Sequence, residues 1–185
     1  MSRGLNRLEA LVELLDRELN LANSTIKDAT IKDATIKDAT IKDAALTGFT
    51  KVTATGDITA AMSGRDILVG PAAAGLASDA TLTLPTAADG LRYRFVYVGG
   101  AADAQDFQIN TGSNTNFFIG GLTFLDTTDD TENEPVAVFG NNSSNSRVNI
   151  LTPVPGTVVE CYCDGTNWFL HGVVVSASTP TFADQ

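Results

Sequence analysis

Apolar residues recur at alternating steps of three and four near the start of the chain, and this spacing predicts an α-helix. The series is Leu5, Leu8, Val12, Leu15, Leu19, Ala22 and Ile26. It forms the a/d seam of a coiled coil over about three heptads. Asn6 is a suitable N-cap with Glu9 three residues later, so a helix is predicted over roughly residues 6–22.

The apolar stripe of this helix needs a partner, because a single helix of this length is marginal in water. The predicted oligomerisation residues are Leu5, Leu8, Val12, Leu15, Leu19 and Ile26. Leu11, Leu14 and Leu21 widen the apolar surface beyond a two-stranded seam, which favours three or more chains or a second contact with another protein. Packing of the helix on its own β-domain is the alternative.

A perfect repeat of Thr-Ile-Lys-Asp-Ala follows, four times from Thr25 to Ala44. Five residues advance an α-helix by about 500°, so the repeated isoleucines share no face and the coiled coil cannot continue through them. In the frame Ala29-Thr30-Ile31-Lys32-Asp33 the unit resembles the pentapeptide-repeat family, whose coils stack into a β-helix. The repeats cover only about one such coil, and the favoured interpretation is a spacer with balanced charges.

From Gly48 onward, short β-branched and aromatic runs alternate with Gly, Asn, Asp and Pro, a texture typical of an antiparallel β-sandwich or jelly roll. The predicted strands cover 50–55, 66–69, 81–84, 91–98, 107–110, 122–125, 136–139, 147–151, 157–163 and 168–175. The chain is therefore predicted to be mainly β, with three parts. An α-helical coiled-coil stem (1–24) and a pentapeptide-repeat spacer (25–47) precede the β-sandwich domain (48–185).

Two predicted strands show a clear alternation of side chains. Leu91, Tyr93 and Phe95 share one face while the arginines between them share the other. Val159, Cys161 and Cys163 likewise lie opposite Val158, Glu160 and Tyr162. The Asp164-Gly165 dipeptide favours a tight turn, so the last two long strands are predicted to pair as a hairpin.

The charge of the chain makes some partners unfavourable. Lys and Arg total 12 against 22 Asp and Glu, which gives a formal charge of −10. Most of the excess lies in residues 48–185, with five cationic and fourteen acidic side chains. Nucleic acid and anionic membranes should repel such a chain. No apolar run approaches the roughly 20 residues of a membrane span and no secretory signal is visible, so synthesis in the cytoplasm is expected.

Residues that could carry catalysis or bind a metal are few. His171 is the only histidine and lies within a predicted strand. A disulfide between Cys161 and Cys163 would be strained, so free buried thiols are expected, with an inter-subunit metal site as the alternative. The acidic run Asp126, Asp129, Asp130, Glu132 and Glu134 lacks the spacing of a known calcium loop and is interpreted as a solvated loop. No catalytic residue, metal site or cofactor is predicted.

Two stretches resemble segments of tailed-bacteriophage decoration and fibre β-domains. One runs from Thr83 through Leu84-Pro85 and a small-residue loop to Val96, and the other is the Asp-Gly-Thr-Asn-Trp hairpin from Cys163 to Leu170. With the residues between them they cover most of residues 66–175. The resemblance implies a virion protein, commonly a homotrimer, that binds the major capsid protein as cement, decoration or head fibre, and it carries over no catalytic residue.

Function is therefore expected to be structural, on the capsid surface of a virion assembled in a bacterial cytoplasm. Leu11, Leu14 and Leu21 are the candidate capsid contacts in this interpretation. Three alternatives remain open: a tail-fibre or receptor-binding tip, a small carbohydrate-active or metal-dependent enzyme, and a host protein with an unrelated sandwich domain.

Overall fold

The structure, a computed structural model, describes residues 49–72, 74–100, 104–128 and 134–185. The predicted stem and spacer lie outside these residues. The coiled coil, its oligomerisation residues and the candidate capsid contacts therefore stay predictions.

The described residues form twelve β-strands and one turn of 3-10 helix, Ala60–Met62. The strands are β1 (Phe49–Val52), β2 (Gly56–Asp57), β3 (Asp66–Val69), β4 (Ala80–Thr83), β5 (Asp89–Tyr97), β6 (Phe107–Asn110), β7 (Phe118–Asp126), β8 (Val136–Phe139), β9 (Arg147–Ile150), β10 (Val158–Asp164), β11 (Trp168–Ser176) and β12 (Thr181–Ala183). The mainly β prediction is confirmed. Two short strands, β2 and β12, were not predicted, because two or three residues are too few to show a period of two.

The strands form two sheets. The seven-stranded sheet has the order β1-β3-β5-β10-β11-β7-β8, and the five-stranded sheet has the order β12-β9-β6-β4-β2. Parallel pairs are β1/β3, β3/β5, β7/β11, β2/β4 and β4/β6, and the other five pairs are antiparallel. Both sheets are therefore mixed.

The prediction that the strands pair in antiparallel fashion, as in a sandwich or jelly roll of that kind, is wrong for half of the pairs, which are parallel. From β1 to β6 the chain alternates between the two sheets, so each return to a sheet adds a strand parallel to the last one. A parallel pair needs a long crossover connection, which is usually a helix. Here a strand of the opposite sheet fills that role. The turn spacing that suggested hairpins is equally compatible with connections between sheets.

The core lies between the two sheets and contains residues from both. Tyr97 on β5 stacks on Phe107 on β6 with ring centroids 6.3 Å apart, which joins the sheets directly. Trp168 on β11 is fully buried, and its ring lies 5.8 Å from that of Tyr93. The predicted alternation on β5 and β10 is confirmed, since Tyr93, Phe95, Cys161 and other inward residues are buried while the arginines are not.

The predicted hairpin between β10 and β11 is also confirmed. Gly165 has φ +95°, a conformation that favours glycine, at the turn after Asp164. The Asp164 carboxylate accepts hydrogen bonds from the backbone N–H groups of Asn167 (2.8 Å) and Thr166 (2.9 Å). These bonds to the charged form lower the pKa of Asp164.

Candidate functional site

The outer face of the seven-stranded sheet carries a row of charged side chains across four neighbouring strands. The strand register places Asp66 of β3 beside Arg94 of β5, Arg94 beside Glu160 of β10, and Glu160 beside His171 of β11. These four residues are called the charged row. The first and last of them, Asp66 and His171, are 105 positions apart in the sequence. Only the order of the strands in the sheet brings the four side chains together.

Arg94 forms two ion pairs at the centre of the charged row. Its Nη1 lies 3.0 Å from Asp66 Oδ2, and its Nε lies 3.3 Å from Glu160 Oε1. The three side chains are 39–50% exposed, so solvent screens these pairs and each should stabilise the fold by less than about 1 kcal/mol. Their main effect is to fix the positions of two carboxylates and one guanidinium.

A loop before β3 lies against the start of β5, so Arg65 of the loop and Arg92 of β5 both lie close to the charged row. The Gly64 N–H donates to the Arg92 carbonyl oxygen (2.9 Å), and the Arg92 N–H donates to Ser63 Oγ (3.0 Å). These bonds hold the loop against β5. Arg65 and Arg92 are both exposed there.

The two arginines and the charged row enclose a depression of about 290 Å³. It is called the arginine depression, and its lining residues are Gly64, Arg65, Asp66, Arg92, Tyr93, Arg94, Glu160, Cys161, Tyr162 and His171. Three of the five cationic side chains in residues 48–185 therefore lie in one place. Against two acidic side chains they leave a local charge of +1, although the domain is strongly acidic. Among the described residues, neither Arg65 nor Arg92 forms an ion pair.

An aromatic pair borders the depression at the hairpin end of the sheet. Tyr162 of β10 stacks on Phe169 of β11, with ring centroids 5.1 Å apart and planes 9° from parallel. Tyr162 is nevertheless 50% exposed. The register also places Tyr162 beside Arg92 of β5. An exposed aromatic ring held in a fixed plane is suited to contact with a flat apolar surface.

Tyr93 and Cys161 line the base of the depression, and Cys163 follows on the same face of β10. Cys161 and Cys163 are free and buried, as expected from the sequence. Burial raises the pKa of the Cys161 and Cys163 thiols above their usual range, and it raises the pKa of Tyr93, with smaller effects of the two thiols, to about 12. All three groups are therefore neutral near pH 7, and the thiols are poor nucleophiles in this state.

A second, apolar row lies next to the charged row on the same outer face. Leu68, Val96, Val158 and Val173 occupy neighbouring positions on β3, β5, β10 and β11. These four residues are called the apolar row. The row continues through Thr123 of β7 to Ala137 of the edge strand β8. Phe139, two residues after Ala137 on the same strand, is 69% exposed.

The residues considered for chemistry in the sequence have the following places in the structure. His171 is exposed within β11, at one end of the charged row. Asp126 Oδ1 accepts hydrogen bonds from the N–H and hydroxyl of Thr128, while residues 129–133 of the acidic run lie outside the described part of the chain. The described residues contain no group of three or more His, Cys, Asp or Glu placed to hold a metal.

Sequence reasoning missed the arginine depression as a site. It placed Arg92 and Arg94 together on the solvent side of β5, and Glu160 with Tyr162 on the solvent side of β10. It could not show that β5 and β10 are neighbours, because the 60 residues between them fold into four other strands. The available signal was the pair Arg92 and Arg94 on the solvent side of one strand in an otherwise acidic domain.

Comparisons of the chain with protein-family models, with curated proteins and with solved structures found no match. Within the described residues, no helix has the length and apolar character needed to cross a membrane.

Proposed function

We propose that this chain is a structural protein of a tailed-bacteriophage virion, a homotrimeric decoration or cement protein bound to the capsid surface, without enzymatic activity. The observation that carries the proposal is the apolar row on the outer face of the seven-stranded sheet. Leu68, Val96 and Val158 are half-buried and Val173 is 36% exposed. Partly exposed apolar residues are normal when scattered, whereas a contiguous set on one face of a sheet is typical of an interface.

The dimensions of this face suit contact between copies of the chain. Strands lie about 4.8 Å apart, so seven of them span about 29 Å, and the nine residues of β5 and of β11 extend about 30 Å. A standard interface buries roughly 800 Å² per partner, so the part of this face around the apolar row and its continuation to β8 can supply such a contact while the arginine depression, at the hairpin end, stays outside it. The charged row beside the apolar row would form the polar rim that such interfaces have.

The resemblance to phage β-domains fits elements of the described fold. The stretch from Thr83 to Val96 covers the end of β4, a loop and most of β5, and the stretch from Cys163 to Leu170 is the β10–β11 hairpin. The strongly acidic domain would face solvent, and the predicted leucine-rich stem would join the copies. Several weak contacts made together bind a shell far more tightly than one.

Two variants test the two parts of this proposal separately. Leu15→Asp should split the oligomer, because it places an unpaired charge in the predicted seam. Val173→Asp should weaken association through the apolar row while the fold is kept, since Val173 is already 36% exposed. Normal assembly of both variants, measured by light scattering, would contradict self-association through these surfaces.

Capsid binding is tested by removing residues 1–24. The truncated chain should fail to bind capsids stripped of decoration, whereas the full chain should bind them. A full chain that does not bind capsids, but binds host cells, would contradict decoration.

A second candidate function is a tail-fibre or receptor-binding tip. The arginine depression favours it, because two unpaired guanidinium groups beside an exposed aromatic ring are the features of a recognition site. Binding to host cells by the isolated protein would distinguish it from decoration.

A further inference from the structure

The arginine depression contains two arginine side chains that form no ion pair within the described part of the domain. Arg65 and Arg92 lie at its surface, and among the described residues neither is neutralised by a carboxylate. Residues 48–185 hold fourteen acidic side chains, so partners for arginine are plentiful elsewhere in the domain. A guanidinium left unpaired in such a domain is available to bind an external carboxylate in a bidentate manner.

The third arginine acts differently. Arg94 is held between Asp66 and Glu160, with one oxygen of each carboxylate paired to it. The other oxygen of each of these carboxylates remains available to accept a hydrogen bond, and His171 lies beside Glu160 at the rim. The floor of the depression therefore offers hydroxyl-binding groups next to an anion-binding side.

Tyr162 adds a flat apolar surface. Phe169 covers one face of its ring, so the opposite face points toward β5, on which Arg92 lies. The stacked partner holds the Tyr162 ring in place before any ligand binds, which reduces the entropy lost on binding. A simple inorganic anion would make no use of this ring.

The size of the site limits the ligand. The depression has a volume of about 290 Å³, just below the roughly 300–1,000 Å³ range of small-molecule sites. This volume fits one sugar ring. A peptide segment would need a longer groove or a free strand edge.

We propose that the arginine depression binds a carboxylate-bearing sugar. The sugar carboxylate pairs with Arg65 and Arg92, one face of the ring lies on Tyr162, and ring hydroxyls bond to Glu160 and His171. This inference goes beyond assembly of the oligomer, because these residues lie beside the apolar row, toward the hairpin end of the sheet.

Titration of the full-length protein with sodium glucuronate, followed by calorimetry, tests the proposal. A ligand of this size should bind with a dissociation constant of roughly 1 mM. Glucose, which lacks the carboxylate, and acetate, which lacks the ring, should each bind at least about tenfold more weakly, because each loses one half of the contacts.

Three variants assign the contacts. Arg92→Gln should weaken glucuronate binding about tenfold by removing a charge-assisted hydrogen bond, and Tyr162→Ala should weaken it about threefold to tenfold. Lys51→Gln is the matched control, because it removes the same charge from the same sheet but lies outside the depression. It should bind glucuronate like the natural chain.

Three results would overturn the proposal. The first is no saturable binding at concentrations about tenfold above the expected constant. The second is acetate binding equal to glucuronate binding with no effect of Tyr162→Ala, which indicates an anion site without sugar recognition. The third is tighter binding of an acidic peptide such as oligoglutamate. The mass of each variant is measured in parallel, so a failure of trimer formation is distinguishable from a failure of sugar binding.

Discussion

The inner and outer faces of strands β5, β10 and β11 are built from alternate residues of the same three segments, yet they differ completely in character. Inward residues such as Phe95, Cys161 and Trp168 are buried in one continuous apolar core. Outward residues include Arg94, Glu160 and a half-exposed Tyr162. The inner face is dictated by folding, since burial of apolar area stabilises the domain. The outer face is free of that demand, so its pattern is informative about function.

The largest expected difference between the faces is in the effect of removing an aromatic side chain. Trp168→Ala should lower the free energy of unfolding by about 3–5 kcal/mol, because it leaves a large cavity in the core. Tyr162→Ala, on the outer face, should lower it by less than about 1 kcal/mol. Urea denaturation of both variants measures the two values, and similar losses would contradict the assignment of the faces.

Trp168→Phe sharpens this test. The indole Nε1 of Trp168 is buried without a hydrogen-bond partner in the described structure, and phenylalanine removes that N–H while keeping most of the packing. The variant should therefore lose much less stability than Trp168→Ala. An equal loss would indicate that Nε1 has a partner.

High pH should destabilise the protein, because ionisable side chains on the inner face are buried in their neutral form. Burial raises the pKa of Cys161 above its ordinary value of 9.0, so the folded chain keeps a proton that the unfolded chain releases. This thiol leaves the free energy of unfolding unchanged well below pH 9 and lowers it as the pH rises through 9, by up to about 1.4 kcal/mol per pH unit. Tyr93, with a pKa raised from 10.0 to about 12, should add to the decline above pH 10.

Cys161→Ala is the variant that checks this pH dependence. Under reducing conditions its stability should decline less steeply between pH 9 and 10 than that of the natural chain, because one of the linked protons is absent. Equal slopes for the two proteins would show that the thiol does not remain protonated in the folded state.

The smallest expected effect concerns the charged row. Arg94→Gln removes both ion pairs, but the groups are 39–50% exposed, so the loss of unfolding free energy should stay below about 1 kcal/mol and shrink further at high salt. A loss above about 2 kcal/mol would mean that the charged row contributes to folding and is not merely a surface feature.

The sequence was sufficient for local structure and insufficient for topology. Alternation along Leu91 to Phe95 and the Asp164-Gly165 turn follow from side-chain and backbone chemistry within a few residues, and both predictions are confirmed. The parallel pairing of β3 with β5 depends on a connection through the other sheet, which no local pattern encodes. The arginine depression was missed for the same reason, because Arg65, Arg92 and Glu160 meet only after β3, β5 and β10 become neighbours.

The molecular mass of the full chain in solution tests the central claim most directly, because the proposed trimer, the predicted leucine seam and the proposed contact through the apolar row all imply self-association. Sedimentation equilibrium should give three chains of 19.4 kDa each, about 58 kDa. A stable mass of 19.4 kDa across the accessible concentration range would contradict the account.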